Sequence, residues 1–162
     1  MSNRIKIYAD VDGTLATPPY GPHVSAELSV RCYNLVIHWN PEVIQRLAAL
    51  SRNPSIEWWW LTAWGQDAVE LLDPLWGIES AGVIDWSEPV GDYSHFSKRL
   101  AVVDDQALDP TAFIWMDDLA LKNLTPDLGL FRGDALLVPV NEHVGVTVTD
   151  VRGIEDFVSR WS

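Results

Sequence analysis

The sequence predicts an α/β fold in three layers, with helices around a mainly parallel, Rossmann-like central sheet. The first observation behind this prediction is that short apolar runs alternate with segments of helical periodicity, as in βαβ units. The second is a composition of 48% hydrophobic and 21% charged residues, which is typical of a chain that buries a core. The third is that no repeat or linker interrupts the pattern, so we expect one domain over residues 1–162.

Five short apolar runs supply the predicted strands of this sheet. The first covers residues 4–10 and ends in an aspartate. The second, residues 56–61, is bulky on both faces and is therefore expected inside the sheet. The remaining strands are predicted at residues 82–84, 112–116 and 135–139.

The stretch between the first two strands predicts a small flap. Residues 27–39 alternate unevenly between apolar and polar side chains, with a turn at Tyr33 and Asn34, and we interpret them as a β-hairpin. A proline-rich loop at residues 16–22 precedes them and cannot continue a helix. We expect residues 16–40 to form a minimal cap over the site.

Four segments have the pattern of helices. The first begins with Asn40 as its N-cap and Pro41 in its first turn. The second begins near Gln66 and is stopped between Pro74 and Gly77, the third covers residues 97–103, and the last closes the chain. The apolar stripes expected to face the core are Val43, Ile44, Leu47 and Leu50 in the first helix, Ala68, Val69, Leu71 and Leu72 in the second, and Ile154, Phe157, Val158 and Trp161 in the last.

The chain is strongly acidic, with a formal net charge of −12. Such a surface repels phosphate backbones, so extended binding to nucleic acid is disfavoured. A small phosphorylated molecule can still enter a locally positive site. Few cations are available to build one, because the lysines are Lys6, Lys98 and Lys122 alone.

Cysteine usage and hydropathy together indicate the compartment. Cys32 is the only cysteine, which excludes a disulfide within the chain and favours a reducing environment. No apolar run is long enough to span a bilayer, and a strand predicted from residue 4 leaves no room for a signal peptide. We therefore expect a cytoplasmic protein that does not contact membranes.

The most informative feature is the sequence Asp10-Val11-Asp12-Gly13-Thr14 at the end of the first strand. Alternate residues of an extended chain face the same side, so the two carboxylates are expected to converge on one spot. Gly13 lets the backbone turn sharply and approach a ligand. Two hard oxygen donors suit Mg²⁺, and one of them can act as a nucleophile while the other handles a proton. A merely solvated Asp-Gly turn is the structural alternative.

Later strand ends carry polar residues as well. Thr62 follows the second strand, Lys98 opens the helix after the third, and Asp117 and Asp118 follow the fourth. In open α/β sheets, ligands bind beyond the carboxyl ends of the strands. Each residue also has a structural alternative. Thr62 can bond local backbone, Lys98 can be a surface lysine with Lys122 as its rival, and the two aspartates can cap the helix that follows.

The order and placement of these residues resemble the four motifs of the haloacid dehalogenase-like superfamily of phosphohydrolases. Those motifs are a DxDGT strand end, a later strand ending in Ser or Thr, a lysine near a helix start, and an acidic pair after an apolar strand. The resemblance covers residues 5–118, and the last strand and helix fit the end of the fold. It implies a minimal-cap member, similar to small proteins associated with RNA-repair proteins.

The resemblance implies a role for each motif residue. Asp10 would attack phosphorus and form an aspartyl-phosphate. Asp12 would protonate the leaving oxygen, later deprotonate the attacking water, and ligate Mg²⁺ through its backbone carbonyl. Thr62 and Lys98 are donors that would stabilise the phosphoryl oxygens. The metal ligands implied are Asp10, Asp12, Asp117 and Asp118, with Asp117 direct and Asp118 indirect, or the reverse.

These inferences predict a magnesium-dependent phosphatase for phosphate monoesters such as nucleotides or small phosphorylated metabolites. An alternative is an enzyme that removes phosphate from 3′ or 5′ nucleic-acid ends in RNA or DNA repair. Its basic patch at the mouth of the site would have to come from Arg31, Arg99 and Arg132. A third hypothesis is a non-enzymatic protein-binding module on the same fold, which an exposed patch formed by several of the nine tryptophans would favour.

Overall fold

The computed structural model of the chain describes residues 4–17, 26–30, 35–86, 95–122 and 134–161. The strands within these residues are β1 (Ile5–Ala9), β2 (Ala26–Val30), β3 (Leu35–Trp39), β4 (Ile56–Trp60), β5 (Ser80–Val83), β6 (Ala112–Asp117) and β7 (Ala135–Pro139). The helices are α1 (Pro41–Ser51), α2 (Asp73–Trp76), α3 (His95–Leu108) and α4 (Val148–Ser159), and a π-helical turn (Ala68–Leu72) leads directly into α2.

Five of these strands form one parallel sheet in the order β5-β4-β1-β6-β7. The central strand, β1, pairs with β4 on one side and β6 on the other, and all of its residues are buried. The predicted α/β fold with a mainly parallel sheet is therefore confirmed. Each of the five predicted strands overlaps an observed one, and the largest difference is that β5 begins two residues before the predicted strand at 82–84.

Side chains from the two faces of the sheet form two separate apolar cores. Successive residues of a strand point to opposite faces, so Ile7 and Ile114 belong to the larger core while Tyr8 and Trp115 belong to the smaller one. Helices α1, α2 and α4 contribute to the larger core, whereas α3 contributes Val102 to the smaller one. Helices therefore cover both faces of the sheet, which gives three layers.

Strands β2 and β3 pair antiparallel as a separate two-stranded sheet. The predicted hairpin is therefore present, although its predicted turn at Tyr33 and Asn34 lies outside the described residues, as does most of the proline-rich loop. Thr17 donates its N–H to the carbonyl of His38 at 2.8 Å and so joins the hairpin to the chain that follows β1.

The first two helical segments show what local sequence signals can and cannot predict. Asn40 caps α1 as expected, since its Oδ1 accepts the N–H of Glu42 at 3.0 Å. The second segment begins at residue 66, as predicted, and ends at Gly77 in the left-handed conformation (φ +67°). The prediction that Leu71 faces the core is wrong, because the wider π-helical turn rotates this side chain out to solvent.

Helix α3 is longer than the predicted helix at 97–103, beginning two residues earlier and ending five residues later. Its added C-terminal turns carry Asp105 and Gln106, which hydrogen-bond the hydroxyl of Tyr8 in β1. The spacing of apolar residues does not predict these turns, because they contact the sheet through polar side chains.

Helix α4 matches the pattern expected of it. It buries Ile154, Phe157 and Val158, and it begins with a capping box formed by Thr147 and Asp150. No helix in the described part of the chain is long and apolar enough to cross a membrane.

Candidate active site

The carboxyl ends of β1, β4 and β6 meet at one edge of the sheet. The N–H of Asp10 donates to the carbonyl of Met116 at 3.1 Å, and the N–H of Leu61 donates to the carbonyl of Ala9 at 2.9 Å. These backbone bonds continue the sheet to the point where each strand ends. The side chains that follow the three strands therefore start from adjacent positions, as expected for a ligand site in an open α/β sheet.

The chain turns tightly after Asp10. The carbonyl of Val11 accepts the N–H groups of the residues three, four and five positions later, at 2.9–3.1 Å. Gly13 adopts the left-handed conformation (φ +74°), and a Cβ at this position would collide with the carboxylate of Asp118. Glycine is therefore required both for the backbone conformation and for the close approach of the second acidic segment.

Three carboxylates gather at this edge. Asp10, Asp117 and Asp118 each offer one oxygen, and these oxygens lie within 4.8 Å of one another. Lys98 Nζ lies 3.0 Å from Asp10 Oδ1 and 2.9 Å from Asp117 Oδ2. None of these four residues is more than 9% exposed. Buried carboxylates repel each other unless a cation lies among them, and α3 supplies one such cation through Lys98.

The two aspartates after β6 have different surroundings. Asp117 Oδ1 accepts the backbone N–H groups two and three residues later, at 2.9 and 2.7 Å, and its Oδ2 accepts from Lys98. Asp117 thus caps the following turn, as its structural alternative anticipated, and pairs with the lysine as well. Asp118 lines the cavity above the cluster, and one of its carboxylate oxygens lies within 4.8 Å of a carboxylate oxygen of Asp10.

Burial is the largest influence on the pKa values of Asp10, Asp118 and Lys98. It raises the pKa of Asp10 well above the ordinary value; Lys98 opposes this shift and the charge of Asp117 adds to it. Burial likewise raises the pKa of Asp118, again with a contribution from Asp117. For Lys98, burial alone would lower the pKa, but the carboxylates of Asp10 and Asp117 more than compensate and the net pKa is raised. One ammonium group therefore does not neutralise three carboxylates, and a proton or a second cation is needed.

Asp12 lines the same cavity as Asp10 but stands outside the cluster of converging oxygens. Its Oδ2 accepts the indole N–H of Trp64 at 3.0 Å. Asp12 is exposed, whereas Trp64 is buried. The two carboxylates of the motif thus line one cavity from different surroundings, and the more exposed one accepts a hydrogen bond from a neutral donor.

Thr62 is buried beside this cavity. Its Oγ1 accepts the N–H of Trp64 at 3.3 Å, which is the local bond named as its structural alternative. The residue that lines the cavity at this strand end is its neighbour Ala63. Trp86 donates its indole N–H to the carbonyl of Thr62 at 3.3 Å, and its ring centre lies 5.5 Å from Lys98 Nζ. Thr62 therefore contacts Trp86, which lines the cavity, but Thr62 is not itself among the lining residues.

A cavity of about 470 Å³ opens above the cluster. Of the six predicted site residues, Asp10, Asp12, Lys98 and Asp118 line it. Its other polar lining residues are Thr17, Glu142 and His143, and the rest of its lining consists of Gly13 and the apolar residues Ala16, Val36, Ile37, Ala63, Trp86 and Leu119. The β2–β3 hairpin contributes Val36 and Ile37, so the predicted flap segment does border the cavity.

Two residues at the mouth of the cavity, Glu142 and His143, were not indicated by the sequence. They come from the loop after β7, which approaches the β1 turn because the N–H of Val146 donates to the carbonyl of Thr14 at 2.8 Å. A Cβ at Gly145 (φ +73°) would lie 2.7 Å from that carbonyl oxygen. The glycine was the one available sequence signal of this close approach.

Neither the nucleic-acid-end phosphatase nor the protein-binding module, the two alternatives considered from the sequence, gains support from the described residues. Arg31 and Arg132 lie outside them, and Arg99 donates its Nε to the carbonyl of Ala120 at 2.7 Å. Lys122, the rival of Lys98, is exposed. All nine tryptophans lie within the described residues and none is exposed, so they form no exposed patch that would favour a protein-binding module.

The donor set fits a hard dication. Carboxylate oxygens are the ligands that Mg²⁺ prefers in proteins, and Asp10 and Asp118, whose oxygens lie within 4.8 Å of each other, both line the cavity. The negative charge that Lys98 leaves unbalanced favours such an ion. A comparison of the chain with known protein families, characterised proteins and solved structures finds no match to any of them.

Proposed function

We propose that the protein is a magnesium-dependent phosphatase that hydrolyses phosphate monoesters through an aspartyl-phosphate on Asp10. The observation that carries this proposal is the contact of Asp10 with Lys98 at the floor of an open cavity, with Asp118 beside them. A phosphoryl group in transfer spreads negative charge over its oxygens, so its site needs a nucleophile, cations and a proton donor around one cavity. The motif resemblance assigns the same residues to those roles.

The reaction consists of two displacements at phosphorus. In the first, a carboxylate oxygen of Asp10 forms a bond to phosphorus while the bond from phosphorus to the leaving oxygen breaks, and Asp12 gives its proton to that oxygen. In the second, water forms a bond to phosphorus, gives a proton to Asp12, and releases phosphate as the bond to Asp10 breaks. Both carboxyl groups end as they began. The hydrogen bond from Trp64 orients Asp12 for both proton transfers.

Lys98 and a bound metal ion would supply the positive charge of the site. Lys98 contacts Asp10 directly, so its ammonium group is placed to pair with a phosphoryl oxygen bound there. Bound Mg²⁺ would supply further charge for the phosphoryl oxygens. Asp10 and Asp118 would hold it through their side chains and Asp12 through its carbonyl. Because both oxygens of Asp117 are already engaged, Asp118 is favoured as the direct ligand and Asp117 as the indirect one.

The size of the cavity favours small substrates. A volume of about 470 Å³ accommodates a nucleotide or a similar phosphorylated metabolite. In this proposal, β2 and β3 form the minimal cap, because Val36 and Ile37 of the hairpin border the cavity that the acidic residues also line.

The decisive experiment measures hydrolysis of 4-nitrophenyl phosphate with Mg²⁺ and with a chelator. We expect turnover that depends on Mg²⁺ and that Asp10→Asn reduces by at least about 10³-fold. Asp156→Asn is the matched control, since Asp156 is an exposed aspartate of α4. Activity retained in Asp10→Asn would show that this residue is not the nucleophile.

A second measurement tests metal binding without relying on turnover. Mg²⁺ that binds the folded chain raises its melting temperature in proportion to RT ln(1 + [Mg²⁺]/Kd). We expect such a rise in the wild type and in Asp156→Asn, and its loss in Asp118→Asn. If the wild type shows neither hydrolysis nor a magnesium-dependent shift, the proposed function is wrong.

A further inference from the structure

The floor of the cavity is formed by buried charged residues, whereas its mouth is formed by more exposed ones. Asp10 and Lys98 at the floor are almost fully buried. At the mouth, Val36 is 54% exposed, and the side chains of Glu142 and His143 are 51% and 75% exposed. A phosphate bound by the floor would therefore direct its leaving group toward these three residues.

The charges of the two ends differ. Lys98 is the only lysine or arginine among the described residues that line the cavity, and it lies at the floor. The mouth carries the carboxylate of Glu142, whose Cβ lies 3.2 Å from the position that a Cβ on Gly13 would occupy. The carboxylate of Asp12 lines the cavity on the same turn. Asp12 is the proton donor in the proposed reaction, so Glu142 supplies the negative charge that faces the leaving group, and His143 Nε2 lies 3.5 Å from its Oε1. The positive charge of Lys98 pairs with the phosphate at the floor.

Apart from Thr17 and His143, the remaining described side chains of the mouth and wall are apolar. Val36 and Ile37 come from β3, Leu119 follows β6, and Trp86 presents its ring beside Lys98. Apolar surface of this kind favours a leaving group that loses little hydration when it is covered. A charged leaving group would gain no partner from these side chains and would be desolvated against them.

We propose that this cavity selects phosphate monoesters whose leaving group is uncharged, and that Glu142 sets the selection by repelling any second anionic group. The inference rests on the proposed function and narrows its substrate class. Monophosphates of neutral, partly apolar alcohols, nucleosides among them, fit these requirements. Bisphosphates, polyphosphates and the ends of nucleic-acid strands carry further negative charge toward Glu142 and are disfavoured.

The test compares 4-carbamoylphenyl phosphate with 4-carboxyphenyl phosphate, which are similar in shape but differ by one negative charge at the far end of the leaving group. We expect wild-type kcat/KM to favour the carbamoyl ester by about fivefold at low ionic strength, and the preference to shrink as salt is added. Glu142→Gln should reduce the preference to about twofold. Glu79→Gln should leave it unchanged, because Glu79 is exposed and precedes β5 at the opposite edge of the sheet.

A binding measurement separates this inference from the proposed function. The benzylphosphonates with the same two para groups resist hydrolysis, so their affinities in the presence of Mg²⁺ report the selection alone. If the phosphonates are discriminated and the esters are not hydrolysed, the proposed function fails and the inference stands. If both esters are hydrolysed equally well, or if Glu142→Gln leaves the ratio unchanged, the inference fails. Absence of both turnover and phosphonate binding would overturn both.

Discussion

Lys98 Nζ lies 3.0 Å from Asp10 Oδ1, and this contact is one of a series of polar contacts between α3 and residues 6–10, which comprise most of β1 and the residue after it. Helix and strand run in opposite directions here. At the other end of the same face, Lys6 Nζ lies 2.8 Å from Asp105 Oδ2, and between them the hydroxyl of Tyr8 donates to Asp105. Residues 6, 8 and 10 of an extended strand share one face, so a single polar row positions the candidate nucleophile against its lysine.

Replacing Lys98 removes the only described cation in contact with two buried carboxylates. Lys98→Met should lower the free energy of unfolding by about 3 kcal/mol, because breaking a buried ion pair leaves charge uncompensated. Lys122→Met is the matched control and should change it by less than about 0.5 kcal/mol, since Lys122 is exposed. Urea denaturation measures both. Equal stability of the two variants would show that Lys98 does not neutralise the cluster.

Gly13 tests the packing of the two acidic segments. Gly13→Ala combines strain at φ +74° with a collision between the new Cβ and the Asp118 carboxylate. Gly65→Ala has only the strain, because φ there is +54° and nothing lies within 4 Å of the new Cβ. We expect Gly65→Ala to cost about 1 kcal/mol and Gly13→Ala to cost more than that.

The metal response should separate these glycine variants further. Gly13→Ala displaces Asp118 and should abolish the rise in melting temperature that Mg²⁺ causes, whereas Gly65→Ala should retain it. A full magnesium response in Gly13→Ala would mean that Asp118 does not need its present position to bind the ion.

The indole of Trp64 should matter for the proton transfers assigned to Asp12. Trp64→Phe removes the donor to Asp12 Oδ2 and should lower kcat by about tenfold with little change in KM. Trp59→Phe is a matched control, because it removes an indole N–H bonded to the Glu57 carboxylate at 2.9 Å, away from the cavity. Equal effects of the two substitutions on kcat would contradict an orienting role for Trp64.

The ion pairs at the far end of α3 predict part of the acid sensitivity. The hydrogen bond from Lys6 lowers the pKa of Asp109 below its ordinary value, with partial burial opposing and Arg4 assisting. Because the pKa of Asp109 is lower in the folded state, its ionised form stabilises the protein at pH values above the unfolded pKa of about 3.9. This stabilisation is lost as pH falls through the folded pKa. Because Asp109 is nearly half-exposed, we expect the contribution to be below about 1 kcal/mol.

The measurement is urea denaturation of the wild type and Asp109→Asn between pH 6 and pH 2.5, a range that extends about two units above and about 1.4 units below the ordinary aspartate pKa of about 3.9. The wild type should be the more stable above pH 4, and the difference should vanish at the acid end. A difference that is constant with pH would show that the ionisation of Asp109 is not involved.

The strands, their parallel arrangement and the positions of the motif residues were predictable from the sequence. Alternating apolar runs and helical periods directly reflect burial on one or both faces, so β1, β4, β6 and β7 were predicted within one residue at each end. The N-cap at Asn40 was predictable for a related reason, since its hydrogen bonds connect residues only two or three positions apart.

The C-terminal part of α3, the exposure of Leu71 and the place of Glu142 at the cavity mouth were not predictable in this way. Each depends on contacts between residues far apart in the chain or on a departure from regular helical pitch. Asp105 joins Tyr8 across 97 positions, and the loop that carries Glu142 is held by a hydrogen bond to Thr14.

The sequence by itself determined which side chains stand at the ends of the strands, because strand period and turn chemistry are local properties. Only the tertiary structure decided what those side chains contact. It placed Lys98 between Asp10 and Asp117, engaged both oxygens of Asp117, and left Asp118 facing the cavity. The physical reason is that buried charges must find partners in three dimensions, and those partners are set by how α3 and β6 pack on β1 rather than by their spacing along the chain.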